Sequence, residues 1–269
     1  AVQVGEVDLI AGVNSDLAMV AKNDPSLDVM STDWIRTFYV NIDTAAKPLD
    51  SKEVRQALNY AVDKEAIIEA VLNGSARQVS TLIPRENFGY DETKQAYGYD
   101  PQKAKQLLAE AGYPDGFEIT FDAVSTDLSV IQAICGYLEA VGIKINMNVV
   151  EPATQTANIA AKTAAPLYFI GNTGWTMDAL SNFQSYLKKD RRYCRFDNQR
   201  LGELVDIEET NMDQEQRLDA LKEAQDILLD EAYFIYLWQL DNIIVKAKDV
   251  EYTPNKIGVL SMYDARPAQ

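Results

Sequence analysis

Short β-rich apolar runs alternate with capped helical stretches along almost the whole chain, and this alternation restricts it to layered α/β or α+β architectures. Residues 34–42 read as a buried strand. Pro48-Leu49-Asp50-Ser51 then opens a helix, with Asp50 or Ser51 as N-cap, Glu53 in its first turn, and Val54, Leu58 and Ala61 at helical spacing. Asp63 caps a second helix that turns Ile67, Ile68, Val71 and Leu72 inward and stops at Gly74. In Tyr99-Asp100-Pro101, Asp100 is the N-cap of a third helix and Pro101 takes the first helical position, where its missing N–H costs nothing; Gly112 ends that helix. A strand over 117–121, a helix over 128–140, and strands over 143–150 and 166–171 follow. Two helices, 201–209 and 213–229, precede an aromatic strand over 233–239, and 243–246 is a candidate partner for it. Upstream, 5–11 reads as a short strand and 15–22 as a polar helix.

Charge and composition remove several classes of function. The net charge of −16 argues against nucleic acid, whose binding depends on basic side chains that neutralise phosphates. The acidic balance itself reads as a solubility feature. There are no histidines, so the usual general base and the commonest transition-metal ligand are both missing. Cys135 and Cys194 lack the close spacing of a zinc or redox motif. Cys135 lies in an apolar helical pattern and is expected as a buried thiol; a bridge between the two stays open, because sequence does not place their Cα atoms within bridging distance. No apolar run has bilayer-spanning length, and Ala1-Val2-Gln3-Val4-Gly5-Glu6 has neither the basic start nor the apolar stretch of a signal peptide. No cofactor, metal or catalytic residue is expected. A chain that opens on a single strand–helix unit before a long self-contained run reads as a piece of a larger fold.

The run Val54-Arg55-Gln56-Ala57-Leu58-Asn59-Tyr60-Ala61-Val62-Asp63-Lys64-Glu65-Ala66-Ile67 closely resembles the helix pair typical of the family 5 extracellular solute-binding proteins of ABC importers. The resemblance continues through Ile83-Pro84, the stretch 99–114, Leu138-Glu139-Ala140-Val141-Gly142-Ile143, Gly174-Trp175-Thr176-Met177-Asp178 and Asp213-Gln214-Glu215-Gln216-Arg217. These segments cover nearly the whole chain in the family's order. The resemblance implies one lobe of a two-lobed trap: a type II periplasmic-binding-protein lobe, α/β, with a mixed sheet flanked by helices. On that basis residues 1–33 are expected as a remnant of the first lobe and hinge approach, 34–249 as the C-terminal ligand-binding lobe, and 250–269 as a tail crossing back. It further implies a non-enzymatic, monomeric, extracytoplasmic protein that captures peptides or similar small solutes and delivers them to a membrane permease. Two alternatives remain: a peptide-sensing regulatory receptor on the same fold, and a hydrolase built on a pair of carboxylates.

Within the resemblance, the 174–178 segment lies at the C-terminal end of a strand, where α/β folds tend to place ligand-contacting loops. The resemblance implies that Gly174 lets the backbone approach closely, Trp175 forms a wall, Thr176 bonds the ligand main chain, and Asp178 pairs with an α-ammonium. Asp178 also suits the N-cap of a helix over 179–187. Arg55 reads as an ion-pair partner or a ligand clamp, and the 233–238 aromatics as core. Dipeptide-binding relatives carry an arginine before the 128–140 helix; Ala123-Val124-Ser125-Thr126-Asp127 has none, which leaves the ligand open.

Overall fold

A computed structural model of the chain describes residues 1–255, 257–258, 260–261, 263 and 265–268. Its main sheet runs in the order β1 (Leu9–Ala11), β7 (Phe234–Ala247), β2 (Leu27–Ile42), β6 (Leu167–Thr173), β4 (Phe117–Val124), β5 (Ile143–Val150), with β3 (Ala76–Gln78) also on β7. β7 is antiparallel to β1, β2 and β3, and β2 is antiparallel to β6. β4 is parallel to both β5 and β6, so the sheet is mixed.

Successive strand residues point to opposite faces, and the sequence of the two long strands therefore sets both cores. Phe38, Val40, Ile42, Ile235 and Leu237 lie in one cluster with Val54, Leu58, Ile67, Leu108, Ile131 and Leu138. Those partners come from α2 (Lys52–Ala61), α3 (Lys64–Val71), α4 (Pro101–Glu110) and α5 (Leu128–Ala140). Tyr39, Phe234 and Tyr236 belong to the other cluster, with Phe183, Leu204, Leu221 and Leu228 of α7 (Leu180–Tyr186), α8 (Gln199–Thr210) and α9 (Gln214–Glu231). Each fully buried large apolar side chain contributes about 1.5–3 kcal/mol. A small third cluster joins Val2, Ala21 of α1 (Ser15–Lys22), Leu27 and Val245.

The helix starts follow local chemistry. Ser51 accepts from the Val54 N–H at 3.3 Å, Asp63 from Ala66 at 2.9 Å, Asp100 from Lys103 at 2.9 Å and Asp213 from Glu215 at 2.9 Å. Arg55 is buried at the base of α2 and forms an ion pair with Glu231 at 2.9 Å. The 233–238 aromatics are all core. Cys135 and Cys194 are both free and buried, and burial pushes the Cys135 thiol up to about 12.

Two expectations change. Residues 233–239 and 243–246 are not two pairing strands: 234–247 is one continuous strand. Asp241-Asn242 has turn composition, yet both residues stay in the ladder, opposite Asp33 and Thr32, and Ser31 Oγ donates to the Asp241 carboxylate at 2.9 Å. Strand β2 also begins at Leu27, upstream of the expected start. The sequence reading passed over α6 (Pro152–Ala160), although Pro152 in its first turn is a start signal. In the tail, β8 (Val250–Tyr252) pairs with β9 (Ala265–Pro267). The expected crossing over 250–269 includes residues 256, 259, 262, 264 and 269, which lie outside the described residues.

Candidate functional site

Strand β6 leaves the sheet at Thr173, opposite Arg36 of β2. The next residue is pinned from both sides: the Gly174 N–H donates to the Ile35 carbonyl at 2.9 Å, and its carbonyl accepts from Asn87 Nδ2 at 3.1 Å. A Cβ on Gly174 would lie 2.2 Å from Asn87 Nδ2 and 3.1 Å from Pro84 Cγ, so only glycine fits against the 84–89 segment. The chain then turns. Met177 N–H donates to the Gly174 carbonyl at 3.0 Å, with Met177 in the left-handed region at φ 56°. Phe88 clasps the exit, its N–H on the Met177 carbonyl at 2.9 Å and its carbonyl on the Ala179 N–H at 3.1 Å.

This fastening presents Trp175 and Thr176 at an exposed tip, with Trp175 57% exposed. The Thr176 N–H and the Trp175 and Thr176 carbonyls make no hydrogen bond to another described residue, so they are open to a ligand main chain. Gly174, in contrast, is buried with both of its backbone groups occupied.

Asp178 is half-buried beneath the turn. One carboxylate oxygen accepts from the Leu180 N–H at 2.9 Å, and the other pairs with Arg217 at 2.7 Å. Burial alone would raise its pKa, but these two bonds outweigh it and hold the carboxyl below its ordinary value. Arg217 also pairs with Glu208, which is 2% exposed, and lies 5.0 Å from the centre of the Phe88 ring. Burial, reinforced by Asp178, pushes Glu208 up to about 7. One guanidinium thus holds two carboxylates, and the cluster carries a net negative charge whenever both are ionised. Arg217 ends the 213–217 motif and Asp178 ends the 174–178 motif, so the fold brings two of the motifs into contact. Asp178 was expected as the N-cap of a helix over 179–187, but the helix runs Leu180–Tyr186 with Ala179 at its N-cap, and Asp178 instead accepts from the first helical N–H. Its carboxylate has more acceptor positions than these two bonds use.

Beside the turn lies a cleft of about 270 Å³ at the C-terminal ends of β4 and β6, lined by Arg36, Phe38, Thr126, Asp127, Gln155 and Arg192 among others. Sequence reasoning singled out none of these as site residues. The available signal was Arg36, the one charged residue in the otherwise apolar or uncharged 34–42 run. Among the described residues no group of three or more His, Cys, Asp or Glu is placed to hold a metal ion. No helix among them is long and apolar enough to cross a membrane.

The family model described as bacterial extracellular solute-binding proteins, family 5 Middle, matches residues 1–193. The chain belongs to this family. Heme-binding protein A of Haemophilus influenzae is 48% identical over 120 residues, which is 44% of this chain and 22% of that protein. Glutathione-binding protein GsiB of Escherichia coli K12 is 26% identical over 248 residues, 87% of this chain and 48% of that one. The chain therefore spans at most about half the length of these family 5 relatives. Among solved structures, the Helicobacter pylori periplasmic binding protein DppA, in complex with the peptide STSA, superposes with TM-score 0.91 at 22% identity, covering 100% of this chain and 54% of that one. AgaA of A. tumefaciens R10, in complex with agropinic acid, gives TM-score 0.84 at 26% identity, with 100% and 58% covered. The mixed sheet flanked by helices is thus a family 5 fold that accounts for little more than half of these structures.

Proposed function

We propose that the chain is the C-terminal, ligand-binding lobe of a non-enzymatic solute-binding protein that captures peptides or similar small solutes outside the cytoplasm and passes them to an ABC permease. The observation that carries the reading is the exposed 174–177 turn. Its unpaired backbone groups sit beside the half-buried Asp178 carboxylate, an arrangement suited to a ligand main chain that ends in an ammonium. The family membership and the solutes named for its relatives (a peptide, glutathione, heme, an opine acid) are consistent with this reading. Residues 34–249 would form the lobe. Residues 1–33 and 250–269 would belong to the crossing toward a second lobe; the irregular β2–β7 register between Asp33 and Thr37 supports a boundary there.

Burying an ammonium requires a fixed counter-charge, and Asp178 is the group placed to provide it. In the complete natural protein, Asp178→Asn should weaken trialanine at least about tenfold, the factor set by 1.4 kcal/mol. N-acetyl-trialanine, with no charge to pair, should hardly change. Calorimetry that finds equal losses for both would make Asp178 a support for the turn rather than an ammonium partner. Asn keeps a side-chain oxygen that can accept from the Leu180 N–H, so the fold should survive.

A further inference from the structure

The lining of the cleft beside the turn has more basic than acidic side chains. In a chain of net charge −16, its charged lining is two arginines, Arg36 and Arg192, and one carboxylate, Asp127. Arg192 gives one N–H to the Thr156 carbonyl at 3.1 Å. Asp127 is bonded by the Thr126 hydroxyl at 2.9 Å, and the Gln155 side-chain N–H is taken by the Phe169 carbonyl at 2.9 Å.

Arg36 differs from the other two charged groups. Its side chain is half-buried, yet makes no hydrogen bond and no ion pair with any described residue; Asp127, also in the lining, acts on it only as a charge. Its guanidinium sits 5.2 Å from the centre of the Trp34 ring and 4.8 Å from that of Phe38. Rings so placed hold the planar group against the wall of the cleft and leave its N–H donors without partners. An arginine fixed by stacking, with its donors free, suits the two oxygens of a carboxylate. Gly171 makes room for this arrangement: a Cβ there would come within 2.6 Å of the Phe38 ring. The ladder pairs Arg36 with Thr173, the residue before the 174–177 turn, so the cleft and the turn adjoin.

We propose that Arg36, with Arg192 beside it, binds a carboxylate of the ligand in this cleft, so that the site selects solutes carrying a free acid. The inference rests on the ligand-binding reading of the adjoining turn. A carboxylate, with a single charge, fits the lining better than a phosphate dianion, because Asp127 would repel the second charge.

The test compares trialanine with trialanine amide by calorimetry, using the complete natural protein and its Arg36→Gln and Arg36→Lys variants. Separately, the Arg36 Nε–Hε NMR signal, identified by its loss in the Lys variant, is followed while propionate is added. The acid should bind wild type at least tenfold more tightly than the amide. Arg36→Gln should erase that difference, and Arg36→Lys should keep part of it. Propionate should shift the Arg36 signal. An acid–amide difference that survives Arg36→Gln overturns the subsite, as does an Arg36 signal that propionate leaves in place. If trialanine does not bind at all, the peptide reading fails, and the propionate response still decides whether Arg36 forms a carboxylate subsite.

Discussion

Replacing Arg55 by Met should destabilise the protein by about 3 kcal/mol and leave ligand affinity unchanged. Arg55 is 3% exposed and donates four hydrogen bonds: to the carbonyls of Glu231 (2.8 Å), Leu49 (3.0 Å) and Asp50 (3.1 Å), and to the Glu231 carboxylate (2.9 Å). Met keeps most of the apolar volume and removes every donor. The Leu49 carbonyl belongs to a fully buried residue and would be left bare, at about 1–3 kcal/mol. The Asp50 and Glu231 carbonyls are only partly buried, so water replaces their lost donor and each adds little. The Glu231 side chain is 32% exposed and rehydrates, so its lost ion pair also contributes modestly. Stacking of the guanidinium 5.1 Å over Tyr233 adds roughly 0.5–1 kcal/mol. The sum lies at the low end of the ~3–5 kcal/mol seen when one partner of a buried ion pair is removed. Urea denaturation should show a lower midpoint at unchanged slope. Glu231→Gln, which leaves all three carbonyl contacts, should cost less than about 1 kcal/mol. A loss below about 1 kcal/mol for Arg55→Met would refute the argument. Lost binding at intact stability would make Arg55 a ligand clamp.

Gly174→Ala should destabilise by about 1–3 kcal/mol through the clash with Asn87, and should weaken ligand binding because the turn must shift. Gly202→Ala, in α8 with open space around its Cβ position, should instead be neutral or slightly stabilising, and thermal melts of both variants check the contrast. Glu208, raised to about 7 by burial, holds a proton in the folded state that the unfolded chain releases near its ordinary value of 4.5. Its contribution is therefore fully present below about 4.5 and is lost as pH rises through about 7. Relative to Glu208→Gln, wild type should lose stability across that window and then level off, as read from paired melts; a flat difference would contradict the assignment.

The local signals in this sequence were legible because they act within a few residues. Ser51, one of two candidates for its helix, and Asp63 and Asp100 cap the helices they were expected to cap, since a side chain reaching three residues ahead needs no tertiary context. The 174–178 segment was found differently, through its resemblance to the family 5 pattern together with its place at a strand end. Features that depend on distant partners were missed. Asp241-Asn242 has turn chemistry, but the ladder to β2 keeps it extended. Arg217 was visible within a motif, yet its role depends on Asp178, and nothing local says that the two meet. Arg36 is the one charge in the 34–42 run and was passed over, because its environment is set by Phe38 on its own strand, Thr173 across the ladder and the loop after β4, and only the assembled sheet brings them together.

The place of β7 in the sheet has a consequence for how the chain folds during synthesis. It lies between β1 and β2, yet it consists of residues 234–247. Its pairing joins residues as far apart as Leu9 and Lys246, 237 positions along the chain. Until that stretch emerges, β2 has one bare edge along its whole length, and Tyr39 and Phe38 lack the strand that should flank them. Closure is thus governed by late, long-range pairing, which makes folding slow and leaves an aggregation-prone edge in the interim. A polypeptide with this order of strands gains from being kept extended until residue 247 is available.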